Sequence, residues 1–305
     1  MLILLKLLFK NSEKIINRNS KILYYDCTNF FFETEEESGI RKYGCSKENK
    51  PNPIVEMGLF IDGDGIPLAF SIHPGNTNEQ TTLRPLEENI LNNYGTKKFI
   101  VCTDAGLSST DNRKFNNKAN RAFVTVQSIK KMKSFQKKWA LSNEGWRTTK
   151  VKTTLSLDDI EADYEKAIEN NNKEKTSEIY ETIYYKEEWF KENGIEQKYI
   201  VTFSLKYRDY LRKIRNNHIQ RAEAAITNKT VDTKKQTDPK RLITTVNITS
   251  EGEVAKNKEY LIDKNTIDNE EQYDGFYCVA TNLEGNPNQI IEINKQRWQI
   301  NRRNV

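Results

Sequence analysis

The sequence predicts an α/β protein, in which a mixed sheet with flanking helices is interrupted by a large insertion before the last helix. Three observations support this prediction. β-branched and apolar runs with tight turns open the chain, helical patterns then alternate with short apolar strands, and the middle of the chain differs in composition from both ends. With 305 residues, 36% of them hydrophobic and 30% charged, the chain can bury a core and keep a large wetted surface.

The first 130 residues are predicted to be rich in strands. Apolar runs predict strands at residues 22–32, 55–61, 66–72, 99–102 and 122–126. The Asp-Gly-Asp-Gly sequence at 62–65 is a turn signal, so the first three strands form an antiparallel meander. Helical patterns lie between the later strands, at residues 78–93 and about 108–118. The resulting order, β-β-β-α-β-α-β, is the front of a ribonuclease-H-like fold.

The middle of the chain changes charge abruptly. Residues 112–152 contain 12 Lys or Arg and one acid, whereas residues 158–192 contain 12 acids and five Lys. Such a swing indicates an inserted region with its own surface, or two faces that partly neutralise each other. We divide the chain into a residual N-terminal helix (1–20), the first part of the core (21–130), the insertion (131–270) and a final strand and helix of the core (271–305).

Within and after the insertion, three segments have their own patterns. Residues 206–222 have helical spacing. An apolar stripe is formed by Tyr207, Tyr210, Leu211 and Ile214, and arginines lie around the rest of the helix surface. Residues 230–269 are polar and predict a loop-rich connection with a few short strands. A strand is predicted at 275–280, and Pro287 fits the first turn of a last helix.

Composition excludes several classes of protein. The longest apolar run, Leu2 to Phe9, is broken by Lys6 and is shorter than the roughly 20 residues that a membrane span needs. It also lacks the basic start and cleavage site of a signal peptide. The four cysteines form no CxxC pair, and two histidines make a histidine-based triad or zinc site improbable. The net charge of +5 excludes an acidic tail protein. We expect a cytoplasmic protein.

Two aspartates are the first candidates for chemistry. Asp26 lies inside the first predicted strand, where an aspartate costs stability unless something compensates. Asp104 ends the fourth strand, which neighbours the first in a ribonuclease-H-like order. The two carboxylates could therefore share a divalent cation, because Mg²⁺ prefers oxygen ligands. The alternative is structural: Asp104 caps a turn and Asp26 is a hydrogen-bonded strand residue.

Six short blocks of the sequence resemble those of a known family. They are Tyr-Asp-Cys-Thr at 25–28, Gly-Leu-Phe-Ile-Asp at 58–62, Gly-Asn-Thr-Asn-Glu at 75–79, Thr-Asp-Ala-Gly at 103–106, Tyr-Asp-Gly-Phe at 273–276 and Arg-Trp-Gln-Ile at 297–300. In this order and spacing they resemble the IS4-type insertion-sequence transposases, especially the IS1634-like branch. The likeness covers roughly residues 20 to 300.

The resemblance implies a DDE catalytic triad on a ribonuclease-H-like core with a β-rich insertion. Asp26 matches the first family aspartate and Asp104 the second, and both would bind Mg²⁺ or Mn²⁺ for phosphoryl transfer on DNA. The position of the third acid is Asn301, which offers one neutral oxygen where Glu offers two and a charge. Glu292, nine residues earlier, is half a helical turn out of phase. The expectation is a truncated transposase with impaired catalysis.

The family resemblance also implies double-stranded DNA as the partner, both as terminal inverted repeats and as target, with a homodimer possible and no membrane. The basic residues expected to contact DNA are Lys130, Lys131, Lys133, Arg208, Arg212, Arg215 and Arg297. For Arg208, Arg212 and Arg215, on the 206–222 helix, the alternative is that they form a solvated helix face without DNA contact. A prokaryotic, nucleoid-associated location follows. Two other functions stay open. The chain could be a non-catalytic DNA-binding remnant that inhibits full-length transposase or has no activity, or it could be a structural or interaction protein.

Overall fold

We describe the protein from a computed structural model that covers residues 2–94, 98–118, 120–149, 153–231, 238–248 and 257–297. The chain folds as two compact units. The first consists of Met1–Lys131, Glu187–Ile200 and Cys278–Val305, and the second of Met132–Lys186 and Val201–Tyr277. Residues 187–200 fall inside the expected 131–270 insertion and yet belong to the first unit. None of the helices in these described ranges is long and apolar enough to cross a membrane.

The helices and strands up to residue 131 follow the predicted order. They are α1 (Leu2–Ser12), β1 (Ile22–Phe31), β2 (Ile54–Asp62), β3 (Pro67–Pro74), α2 (Leu83–Asn93), β4 (Phe99–Thr103), α3 (Thr110–Phe115) and β5 (Arg121–Val126). The rest of the chain adds α4 (Ser134–Ala140), α5 (Leu157–Glu169), α6 (Lys173–Glu181), β6 (Tyr184–Glu192), β7 (Ile195–Phe203), α7 (Leu205–Thr227), β8 (Ile243–Ile248), β9 (Asn257–Ile262), α8 (Lys264–Glu271), β10 (Phe276–Thr281) and α9 (Pro287–Gln296).

The main sheet has eight strands in the order β3-β2-β1-β4-β5-β10-β7-β6. β1, β2 and β3 pair antiparallel, whereas β4 runs parallel to both β1 and β5. This arrangement, with β1 at the centre of the first five strands, confirms the predicted ribonuclease-H-like mixed sheet. β6 and β7 extend it through a tight turn, in which Asn193 and Gly194 both have positive φ, as the common two-residue hairpin turn requires.

The core of the first unit lies between this sheet and helices α1 and α2. Tyr25 of β1 is fully buried, and its hydroxyl lies 2.6 Å from that of Thr82. Its ring crosses β2 at Gly58, where an added Cβ would lie 2.0 Å from the tyrosine oxygen, so only glycine fits there. α1 contributes the buried Phe9, whose ring is 5.2 Å from that of Tyr94.

The second unit has an aromatic centre of its own. Trp146 is fully buried, with its ring 5.9 Å from that of Phe203 and 5.8 Å from that of Phe276. Such tilted aromatic pairs add to the energy of area burial. A smaller cluster forms where the hairpin of β8 and β9 meets the end of α7, around Ala222, Leu242 and Ile243.

The structure differs from the sequence expectations at several elements. The polar helix expected at about 108–118 is only α3, because the Ser109 side chain accepts from Asn112 N and caps its start, while Asn116 ends it. The 230–269 segment contains β8 and β9, the short strands that the sequence predicted, and also α8, which it did not predict. Residues 298–305, which include the expected end of the last helix and Asn301, lie outside the described residues.

Candidate active site

Asp26 and Asp104 lie on neighbouring parallel strands. β1 and β4 pair in register as Ile22 with Ile100, Leu23 with Val101 and Tyr24 with Cys102. Each aspartate comes two residues after the last of these pairs, Asp26 further along β1 and Asp104 just past the end of β4. In parallel strands, residues that are equally far along face the same way. The parallel pairing of β1 and β4 favours an approach of the two carboxylates, and the charge of Asp104 acts on that of Asp26.

Asp26 is half-buried, and three neighbouring charges act on its carboxylate. Burial raises its pKa above the ordinary value, because desolvation penalises the charged form. The ammonium of Lys47 opposes this effect, the charge of Asp104 adds to it, and Arg297 opposes it again. The charge of Asp104 thus adds to the cost of ionising Asp26, and a bound cation would offset that cost.

Both aspartates also have the structural roles that the sequence left as the alternative. The backbone N of Cys27 donates to Oδ1 of Asp26 at 2.9 Å. The N of Leu107 donates to Oδ1 of Asp104 at 3.0 Å, which closes the turn after β4. Thr125 on β5 donates to the backbone carbonyl of Asp104 at 3.1 Å. The bonds from Cys27 and Leu107 each use one carboxylate oxygen, and an ionised carboxylate keeps further lone pairs for a cation.

Three residues beside Asp26 were missed by sequence reasoning. Lys47 donates from Nζ to the carbonyl of Cys27, and its Nζ lies 3.3 Å from Oε1 of Glu79. Glu56 on β2 is 3% exposed. Burial raises its pKa, and a hydrogen bond with Glu79 and the charge of Glu79 raise it further. A buried charged residue in an apolar strand was the available signal for Glu56, and Glu79 lies in one of the family-like blocks.

Lys47 is held in place by a side chain of β1. Asn29 donates to the carbonyl of Cys45 at 3.1 Å and accepts from the backbone N of Lys47 at 3.1 Å. Burial lowers the pKa of Lys47, but the charges of Glu79 and Asp26 outweigh it, so the net shift is upward. The lysine thus stays charged next to Asp26. Among the described residues, no group of three or more His, Cys, Asp or Glu is arranged to hold a metal ion.

Arg297 lies near the carboxylates rather than on an outer surface. It follows α9, whose end is tied to β1 because the Tyr24 hydroxyl donates to Oε1 of Gln296 at 3.2 Å. Burial raises the pKa of both Asp26 and Cys102, and the positive charge of Arg297 opposes that rise. Its Nε is buried and has no hydrogen-bond partner in the described part of the chain. Asn301, four residues later, lies outside that part.

The basic residues expected to contact DNA fall into two groups. Lys130, Lys131 and Lys133 are exposed around the short turn before α4. On α7, the Arg212 side chain is 52% exposed and lies 3.7 Å from Asp274, and that of Arg208 is 14% exposed and bonds Glu161 at 2.6 Å. Of the apolar stripe predicted on α7, Tyr207, Leu211 and Ile214 are partly buried, whereas Tyr210 is 57% exposed.

Arg215 does not belong to a DNA-contacting surface. It is buried, and its two terminal nitrogens donate to the two carboxylate oxygens of Asp274 at 2.8 and 2.6 Å. Glu271 accepts a further bond at 3.1 Å. This bidentate pair also occupies Asp274, which is 6% exposed and is therefore engaged as a structural partner. We accordingly leave Arg215 out of the proposed DNA contact.

Comparison with known proteins gives one family. Residues 25–300 match the family model described as the transposase DDE domain. No curated protein matches the chain. Among solved structures, the piggyBac transposase synaptic complex with hairpin DNA aligns with a TM-score of 0.27 and 12% identity, over 37% of this chain and 26% of that one.

Two Mos1 structures also align. The Mos1 transposase paired-end complex with the left transposon end gives a TM-score of 0.24 and 14% identity, over 37% of this chain and 38% of that one. The Mos1 mariner paired-end complex with Mn gives 0.24 and 15%, over 39% of each chain. The aligned part thus spans well under half the length of these structures.

Proposed function

Because this chain belongs to the transposase DDE domain family, we propose that it carries out phosphoryl transfer at the ends of a DNA transposon, through a divalent cation bound by Asp26 and Asp104. The observation that carries the proposal is the parallel pairing of β1 and β4, because each family aspartate follows the last pair, Tyr24 with Cys102, by two residues. Within the family, we assign the chain to the IS4-type, IS1634-like branch on its six sequence blocks.

The residues at this site fit a hard divalent cation, Mg²⁺ or Mn²⁺. They offer carboxylate oxygens, which such ions prefer, and Asp104 raises the pKa of Asp26, so a cation would relieve a repulsion that the protein itself creates. When bound, the cation supplies activation of water or a 3′ hydroxyl and stabilisation of the leaving oxygen. Asp26 and Asp104 would hold the ion, and Thr125 donates to the backbone carbonyl of Asp104 in the turn that follows β4.

Cationic residues of both units would supply the DNA contact. Arg297 lies close enough to Asp26 for its charge to lower the pKa of that carboxyl, which suits a guanidinium that neutralises a phosphate beside the carboxylates. Lys130, Lys131, Lys133, Arg208 and Arg212 are the further proposed phosphate contacts. The proposed partners are the terminal inverted repeats and the target DNA, bound by a homodimer at the nucleoid of a prokaryotic cytoplasm.

We also propose that catalysis is impaired, because Asn301 stands at the position of the third family acid. An amide offers one neutral oxygen to a metal, whereas a carboxylate offers two that share a charge. This substitution is the specific reason to keep a second function in view, that of a DNA-binding protein that occupies transposon ends without cleaving them. The two functions share DNA affinity and differ in strand cleavage.

A cleavage assay on duplexes carrying the transposon's terminal repeats tests the proposal. We expect slow cleavage that needs Mg²⁺ or Mn²⁺, is lost with Asp26→Asn or Asp104→Asn, and is faster with Asn301→Glu. The exposed Asp268→Asn is the matched control and should cleave like the parent. DNA binding without cleavage in every variant, Asn301→Glu included, would favour the non-catalytic function.

A further inference from the structure

The edge of the sheet where β1, β4 and β5 begin carries a second group of cations. Lys21, Lys98 and Asn120 directly precede these three parallel strands. Their backbones are joined, since Ile100 N donates to the carbonyl of Lys21 at 2.9 Å and Phe99 N to that of Asn120 at 3.3 Å. Asp104 lies past the other end of β4, roughly 20 Å away at about 3.3 Å per strand residue. This edge is therefore distinct from the carboxylate site.

A cavity of about 570 Å³ opens at this edge. That volume is in the range of sites that bind small molecules. Among the described residues, the cationic side chains that line it are Lys21, Lys98, Lys118 and Arg121, and no carboxylate of this part of the chain does so. The remaining lining is largely apolar and comes from Phe99, Ile100, Ala122 and Leu283. The cavity thus combines a concentrated positive charge with an apolar floor.

Arg121 is the strongest sign that the cavity binds an anion. It is only 8% exposed, and its Nη1 is buried with no hydrogen-bond partner in the described ranges. The guanidinium lies over the ring of Phe115 at 4.1 Å, which fixes its position. Arg121 thus contributes a charge of fixed position to the wall of the cavity, where an anion would be attracted.

The one acid near Arg121 only partly neutralises it. Oε1 of Glu87 lies 3.6 Å from Nη1 of Arg121, too far for a good hydrogen bond. Burial raises the pKa of Glu87 to about 7, even though Asn116 and Arg121 both act to lower it. Near neutral pH a substantial fraction of Glu87 is therefore protonated, and Arg121 keeps an excess of positive charge.

We propose that this cavity binds a nucleotide, with its phosphate held by Lys21, Lys98, Lys118 and Arg121 and its base against the apolar floor. Arginine and lysine are the usual phosphate ligands, and bases pack well on apolar and aromatic surfaces. The nucleotide could be a free mononucleotide or one unit of a DNA strand, because both offer the same chemistry. The site goes beyond the proposed transposase function, since Asp26 and Asp104 take no part in it.

Calorimetric titration of the full chain with dAMP in EDTA tests the proposal without any contribution from a divalent cation. We expect saturable binding of dAMP, at least tenfold tighter than binding of inorganic phosphate. The triple variant Lys21→Gln, Lys98→Gln, Lys118→Gln should weaken dAMP binding at least tenfold. A matched control with the same charge change, Lys10→Gln, Lys173→Gln, Lys229→Gln, uses exposed lysines elsewhere and should change binding less than twofold.

Two further arms examine the floor and the source of the nucleotide. Leu283→Trp should fill the cavity and weaken dAMP at least tenfold, with the unfolding temperature showing that the variant is folded. A single-stranded pentanucleotide that binds tighter than dAMP, with the same sensitivity to the triple variant, identifies DNA as the source. Tighter binding of dAMP identifies a free mononucleotide.

Three results would overturn the nucleotide site: no binding of dAMP by the folded parent, equal losses in the triple variant and its control, or phosphate binding as tight as dAMP. None of these affects metal-dependent cleavage at Asp26 and Asp104, which is measured separately. Failure of the nucleotide site and failure of the transposase proposal are therefore distinguishable.

Discussion

Asp26 is a polar residue at the centre of an apolar strand, and its surroundings explain how the fold tolerates it. The Cys27 amide donates to its carboxylate, and Lys47 and Arg297 supply positive charge nearby. Even so, the net effect on its pKa is upward, because burial and Asp104 outweigh these groups. A carboxylate that is partly destabilised until a cation arrives is characteristic of functional rather than purely structural positions.

Glu87 gives a prediction about pH. It is fully buried, and its folded-state pKa of about 7 lies above the ordinary value of 4.5. The folded state therefore holds this proton more tightly than the unfolded state, so the free energy of unfolding should fall as pH rises from about 4.5 to 7. The shift corresponds to a loss on the order of 3 kcal/mol across that window.

Urea denaturation at pH 5 and pH 7.5 checks this prediction. Glu87→Gln cannot ionise, so its stability relative to the parent should rise between the two pH values. The exposed Glu88→Gln is the matched control on the same helix and should follow the parent. Parallel pH dependence of the parent and Glu87→Gln would show that this carboxyl is not the group responsible.

The sequence identified two residues of the candidate site and missed their neighbours, for a physical reason. Asp26 and Asp104 could be predicted because each interrupts or ends an apolar strand, and strand order then brings them together. Lys47 could not, because it lies in a loop whose position depends on the hydrogen bonds of Asn29. Glu56 and Glu79 interact through a long-range hydrogen bond that no local pattern encodes.

At the scale of elements, α7 shows where sequence reasoning about charge fails. Periodicity predicted the helix, and its cluster of arginines suggested one basic face. However, Arg215 lies on the buried side and pairs with Asp274, which lies 59 residues later in the chain. Helical periodicity cannot reveal a partner so distant in the sequence. The buried ion pair nevertheless removes the charge of Arg215 from the surface.

Two substitutions on α7 should therefore change the free energy of unfolding by very different amounts. Arg215→Ala leaves the buried Asp274 carboxylate without its partner and should lower the free energy of unfolding by about 3 kcal/mol or more. Arg212→Ala, at a half-exposed side chain, should change it by less than about 0.5 kcal/mol. Denaturant titrations of both variants measure this difference. The double variant Arg215→Met, Asp274→Leu should recover much of the loss, and a stability of Arg215→Ala equal to that of Arg212→Ala would refute the role of the pair.

α1 is a second element whose role differs from its sequence description. It was expected as a residual helix, yet Phe9 packs into the core of the first unit beside Leu23, Leu68 and Tyr94. Phe9→Ala should cost about 3–5 kcal/mol, as truncation of a buried aromatic does. Leu8→Ala, at a residue that is 57% exposed on the same helix, is the control and should cost far less. Thermal unfolding of the two variants compares them, and equal losses would mean that α1 does not belong to the core.

At the scale of the whole molecule, the order of strands was predictable and the division of the chain was less so. The β-β-β-α-β-α-β pattern led to the correct sheet because parallel and antiparallel pairings follow from connection lengths. The place of residues 187–200 in the first unit was not predicted, because their acidic composition resembled that of the insertion around them. Strand pairing across such distances depends on tertiary packing rather than local composition.

The proposed DNA contact predicts a specific dependence on salt. The logarithm of the binding constant for duplex DNA should fall linearly with the logarithm of salt concentration, by about 0.9 for each phosphate contact. The triple variant Lys130→Gln, Lys131→Gln, Arg212→Gln should lower the slope by up to about 2.7 on the same rule. Fluorescence anisotropy between 50 and 200 mM salt, roughly the range used for such slopes, measures it. The Lys10, Lys173, Lys229 control should keep the parent slope, and an unchanged slope in both variants would leave these cations as a solvated surface.

The proposed phosphoryl transfer requires Asp26 and Asp104 together to form one divalent-cation site. Electron paramagnetic resonance of Mn²⁺ titrated into the protein tests it directly and needs neither DNA nor catalysis. We expect Asp26→Asn and Asp104→Asn each to weaken binding at least tenfold, and the double variant to be little worse than either, because residues that share one ion are not additive. Asp268→Asn should bind like the parent. Mn²⁺ affinity that is the same in the parent and in both single variants would contradict the claim.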